Sequence, residues 1–91
     1  MTERWRDDSG NVYVVERAGA NFEGAADNVR VNGINYGHVD VEGVVSPAGG
    51  NIVMSNANGV VYQSPIGAAV PGTDPRTTDA LFGTMRFHID H

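Results

Sequence analysis

Apolar and polar residues alternate with a period of two in short bursts along this chain. The clearest burst lies between Val29 and Val45. Successive side chains on a strand point to opposite faces, so this pattern predicts β-structure with one buried face. Asn32-Gly33 is a favoured pair for a two-residue type I′ turn, whose central residues both need positive φ. Folding about it sets Val31 opposite Ile34 and Val29 opposite Tyr36, all on one face, with Arg30 and Asn35 on the other. Beyond Tyr36 the phase reverses. An unbroken strand would bury His38, Asp40 and Glu42 and expose Val39 and Val41. Gly37 stands at the reversal, and one extra residue in a strand exchanges its faces. A bulge or sharp bend at Gly37 is therefore predicted, with Val39 and Val41 inward and His38, Asp40 and Glu42 outward.

The flanking segments read as further hairpins. Glu3 to Asp7 and Val12 to Glu16 are joined by the turn formers Asp8-Ser9-Gly10-Asn11. The simplest register puts Trp5 opposite Val14 and Arg6 opposite Tyr13, with Trp5, Val12 and Val14 on one face. Arg17 to Asn28 carries no alternation and reads as loop, anchored by Phe22. After the turn Ser46 to Asn51, the runs Ile52–Ser55 and Val60–Gln63 flank a second Asn-Gly pair at Asn58-Gly59. Ser64 to Arg76 reads as loop from Pro65, Pro71 and Pro75, with a short edge strand over Ile66–Val70. Thr78 or Asp79 would cap one helical turn through Phe82, ended by Gly83. Met85, Phe87 and Ile89 then alternate with Arg86, His88 and Asp90 in a half-buried final strand.

Composition sharpens this picture. Valine occurs thirteen times and leucine once, at Leu81, with twelve glycines. β-Branched residues suit a pleated surface, and glycines between valine-rich runs suit turns. The fold class expected is all-β, a small antiparallel barrel or sandwich of six to eight short strands built mainly from hairpins. At 91 residues the chain is one domain, 1–91. It has no cysteine, so neither a disulfide nor a thiolate metal site is available. No apolar run approaches the roughly 20 residues of a membrane span, and residues 1–6 are not followed by the apolar core of a secretory signal. The expected location is cytoplasmic as synthesised, with later incorporation into a larger particle.

Charge excludes one class of partner. The formal net charge is −5, and all six basic residues are arginine. Such a chain is not expected to bind nucleic acid through its phosphates. Asp7, Asp8, Glu16, Glu23, Asp27, Asp40 and Glu42 make the first half acidic, and an acidic small protein can occupy a basic site on a partner.

Candidate chemistry is sparse. His38-Val39-Asp40 recurs as His88-Ile89-Asp90. Residues two apart on a strand share a face, so His38, Asp40, His88 and Asp90 could hold a divalent transition metal if their strands were neighbours. No serine lies in a nucleophile-elbow pattern, and no constellation meets the requirements of a catalytic site. The glycines between Gly43 and Gly50 precede neither a Gly-Lys-Ser/Thr nor a helix, so they read as a β-turn rather than a phosphate loop.

The function expected is therefore non-enzymatic: a structural or protein–protein interaction module with no nucleic-acid or membrane partner. In style the chain resembles the small β modules that build or decorate virus particles and tail spikes. Apolar runs with both faces hydrophobic imply cover from a second copy or another protein, a homo-oligomer first of all. The residues expected at that contact are Ile52, Met54, Val61, Tyr62, Ile66 and Val70. The alternative is a small acidic inhibitor or immunity-type protein on a basic site of an enzyme. A metal-binding β module is the third reading.

Overall fold

Asn32 and Gly33 both adopt positive φ, 52° and 79°, as the type I′ turn requires. Val31 then faces Ile34 and Arg30 faces Asn35. The computed structural model describes residues 1–46, 49–67 and 79–90. Its strands are β1 (Thr2–Asp7), β2 (Val12–Ala18), β3 (Asn21–Val31) and β4 (Ile34–Ser46), followed by β5 (Gly49–Asn56), β6 (Gly59–Gly67), β7 (Asp79–Phe82) and β8 (Met85–Asp90). They form one antiparallel sheet in the order β6-β5-β4-β3-β2-β1-β8-β7. The fold is all-β, as expected from the valine-rich alternation.

The sheet curls until β7 lies against β6 and β5. Side-chain chemistry joins the two outer strands: the Tyr62 hydroxyl donates to the Phe82 carbonyl and accepts from the Thr84 amide at 3.3 Å. Trp5 sits at the centre of the enclosed face. Its ring is 4.7 Å from Phe22, 5.7 Å from Phe87 and 6.4 Å from Phe82. Tyr13 meets Phe87 edge-on at 5.1 Å, a favoured arrangement for aromatic pairs. Val15, Val39, Ile52 and Met54 are among the aliphatic side chains buried around them.

Two inward glycines allow the curl. A β-carbon on Gly24 would lie 2.3 Å from the Val14 carbonyl oxygen, and one on Gly43 would lie 2.0 Å from that of Asn51. Both occupy inward positions, where a sharply bent sheet brings backbone against backbone and leaves no room for a side chain.

The phase reversal at Gly37 is a bulge. The β3–β4 register slips between Ala26 and Val29 and slips back between Val29 and Arg30. Gly37 has φ of 70°. Val39 and Val41 are buried, while His38, Asp40 and Glu42 are exposed. The slip pairs Val29 with Gly37 instead of Tyr36. Val29 is fully buried, Val31 and Tyr36 are half-buried, and Ile34 projects into solvent at 55 % exposure.

Three further expectations are corrected. First, Trp5 pairs with Tyr13 and Arg6 with Val12, one residue away from the simplest register. A one-residue slip turns every side chain to the other face, so Tyr13 and Val15 are buried while Val12 and Val14 are exposed. The cause is Asp7. Its carboxylate accepts from the Ser9 and Asn11 amides at 3.0 and 2.9 Å, and the Gly10 amide closes a turn on the Asp7 carbonyl at 3.1 Å. Second, the segment read as loop is mostly strand. β3 begins at Asn21 and pairs with β2 and β4, which supply the hydrogen bonds its own composition does not advertise. Phe22 is its buried anchor. Third, Asp79–Phe82 is a strand paired with β8, not a helical turn. Thr78, Pro47, Ala48 and residues 68–76, read above as loop and edge strand, lie outside the described residues. The final strand alternates as expected, with Phe87 and Ile89 buried, and is held between β1 and β7.

Candidate interaction face

The tight Gly19-Ala20 turn places Ala18 opposite Asn21 and therefore Glu16 opposite Glu23. The β3–β4 register then sets Glu23 opposite Glu42. Three carboxylates thus stand in one row on the outer face of three neighbouring strands, all exposed. Like charges directly opposite one another destabilise a sheet, so this row is held against its own repulsion. Thr2 donates its hydroxyl to Glu16. Neither Glu23 nor Glu42 has a hydrogen-bond or ion-pair partner among the described residues.

Short side chains flank the row on both sides. Val14, Ala25, Asp40 and Ser55 form the next row one way, and Ala18, Asn21, Val44 and Asn51 the other. The long glutamates therefore stand as a ridge between two open depressions of about 610 and 700 Å³, both of which they line. Val53, opposite Glu42, extends the row as an apolar end. Val12 and Val14 lie half in solvent on β2, at 48 and 50 % exposure. The face combines fixed negative charge with small apolar surfaces.

The metal constellation does not assemble as one surface. His38 and Asp40 lie on β4, His88 and Asp90 on β8, and β3, β2 and β1 intervene. Among the described residues no group of three or more His, Asp or Glu side chains is arranged to hold a metal. Each histidine instead meets local carboxylates. His88 Nε2 lies 3.0 Å from Asp8 Oδ1. His38 Nδ1 is 2.7 Å from Asp27 Oδ1, and its Nε2 is 3.2 Å from Asp40 Oδ1. The bulge in β3 is what brings Asp27 across to His38.

This triad raises the His38 pKa above its ordinary 6.5, through the hydrogen bonds the protonated ring donates to Asp27 first and to Asp40 second. With both ring nitrogens engaged by carboxylates, His38 is an ion-paired surface group. A histidine whose pKa rises on folding stabilises fully below its unfolded value of about 6.5 and loses that contribution as pH rises through the folded value. The melting temperature should therefore fall across that upper window. In His38→Gln the dependence should vanish there, and a proton NMR titration of the ring should place its midpoint above 6.5. An unshifted midpoint would dissolve the triad.

Of the residues expected at an apolar contact, Ile52 and Met54 are fully enclosed by the chain itself. Val61 and Tyr62 are half-buried and pack against the core, and the Tyr62 hydroxyl is engaged at Phe82. The Ile66 side chain and Val70 lie outside the described residues. The glutamate row was not foreseen because its middle member sits in the segment read as loop. The signal was present in Gly19-Ala20: a two-residue turn there pairs positions summing to 39, which include Glu16 and Glu23. No helix among the described residues is long and apolar enough to cross a membrane. No protein-family model, curated protein or solved structure matches the chain.

Proposed function

We propose that this protein is a non-enzymatic interaction module that binds a basic partner protein through the outer face of β2, β3 and β4. The observation that carries this reading is the row Glu16–Glu23–Glu42, opposed strand by strand and uncompensated at Glu23 and Glu42. Repulsion held in the free protein is relieved when cations arrive, so the row favours association. Self-association draws less support, since Ile52 and Met54 are already enclosed.

The spacing of the row suits a helix. Neighbouring strands lie about 4.8 Å apart. Residues three or four apart on a helix are separated by about 5–6 Å, whereas alternate residues of a strand are about 6.8 Å apart. An arginine-bearing helix laid across the strands keeps step with three carboxylates, and a strand does not.

The test is binding of a helical peptide with arginines at i, i+4 and i+7 under increasing salt. Affinity should fall steeply with salt and drop about fivefold or more in Glu23→Gln, a loss of about 1 kcal/mol. Glu23→Gln should also unfold at a slightly higher temperature, because it removes opposed charge. Equal binding by wild type and Glu23→Gln would overturn the reading. So would a stable closed oligomer, seen by light scattering, that covers this face.

A further inference from the structure

Arg17 is the least explained group in the molecule. It points into the enclosed side of the sheet, with its side chain only 6 % exposed. Its Nε donates to Glu3 Oε1 at 2.9 Å, and Trp5 Nε1 donates to the same oxygen at 3.1 Å. The guanidinium carbon lies 5.6 Å from the Trp5 ring centroid. Glu3 thus occupies the Nε side of the guanidinium. Nη1 and Nη2 are buried and have no hydrogen-bond partner among the described residues. A guanidinium carries five N–H donors in a fixed fork, and a buried donor without an acceptor costs about 1–3 kcal/mol. Four such donors are held here, beside the aromatic pair Trp5 and Phe22.

We infer that the Nη1–Nη2 edge of Arg17 is a receptor for a carboxylate. That edge presents two parallel N–H groups, the geometry a carboxylate accepts bidentately. Arg17 and Phe22 also border the larger depression at this rim of the sheet; the Nη edge itself is closed to solvent, so a carboxylate reaches it only when this rim opens. The bound state is a Glu3–Arg17–carboxylate sandwich with the delocalised cation at its centre. The Nη edge lies on the enclosed side of the sheet and the glutamate row on its outer face, so carboxylate binding and basic-partner binding are read out separately, although Glu16, Glu23 and Glu42 border the same depression.

Trp5 is the only tryptophan in the chain and lies under the guanidinium, so its emission reports on the site. Acetate, and separately a blocked tripeptide carrying one glutamate, are titrated into the full chain against chloride at matched ionic strength. The expected result is a saturable change in Trp5 emission with a carboxylate and none with chloride. Nitrogen-15 spectra of the wild-type chain should show the Arg17 Nη protons shifting together and exchanging more slowly. A stronger response to the tripeptide assigns the ligand to a protein side chain, and a stronger one to acetate assigns it to a small acid. Arg17→Gln should lose the response. The wild-type spectra decide the matter if that variant does not fold. No response to either carboxylate, or the same response to chloride, overturns the proposal and leaves buried water on the Nη edge.

Discussion

Glu3→Ala should lower the stability of this protein by about 3–5 kcal/mol, the usual cost of removing one member of a buried ion pair. The Glu3 side chain is wholly inaccessible and that of Arg17 nearly so, at 0 % and 6 % exposure, so solvent screening does not reduce the effect. The loss has three parts. Arg17 keeps its charge in the core with no counter-ion at Nε. The Trp5 indole loses its acceptor, and Trp5 is the hub of the aromatic cluster. A cavity replaces the carboxylate. Glu3→Gln keeps an acceptor for both donors and loses only charge, so its cost should be clearly smaller. Urea denaturation checks both variants: the midpoint should drop with the slope unchanged. Two variants equally and mildly destabilised, by less than about 1 kcal/mol, would place this ion pair in water.

Gly43→Ala should cost about 3 kcal/mol, at or above the upper end for adding one methyl group to a packed interior. The added carbon would sit 2.0 Å from the Asn51 carbonyl oxygen and 3.0 Å from the Phe22 ring. The ring can turn; the carbonyl cannot, because Asn51 is in the β4–β5 ladder opposite Val44. Relief therefore requires β4 and β5 to separate or the sheet to flatten. Either would draw Phe22 away from Trp5, and the near-ultraviolet circular dichroism of the aromatic cluster should weaken along with the stability. Gly33→Ala is the useful contrast. A β-carbon there meets nothing within 4 Å, so its penalty is confined to the positive φ of the turn. If Gly43→Ala were no worse than Gly33→Ala, the tight curl would be wrong.

These two sites mark where local pattern stops informing. Glu3 and Asp7 share the face of Trp5 by the period of two, yet a charged side chain is rarely buried and nothing local announces that both are. They are inward with Trp5, and the Asp7-centred turn sets which residues of β2 they meet there. Gly43 read as part of a turn, yet it is a mid-strand position where β5 crosses close to β4.

Much was nonetheless decided by the sequence alone. The type I′ turn at Asn32-Gly33, the exchange of faces at Gly37, the outward His38, Asp40 and Glu42 and the alternation of the last strand are all local. Each rests on a period of two or on a backbone conformation that few residues adopt. Only the tertiary structure decided which strands are neighbours. Asp90 lies beside Arg4 across almost the whole chain, while His38 and His88 are held apart by three intervening strands. Β3 is a strand because β2 and β4 complete its hydrogen bonds on both sides. The glutamate row follows from that pairing, and the Glu3–Arg17 pair follows from the inward facing of β1 and β2. Pairing over long separations is set by the closure of the whole sheet and the packing of its aromatic core, and no local alternation carries that information.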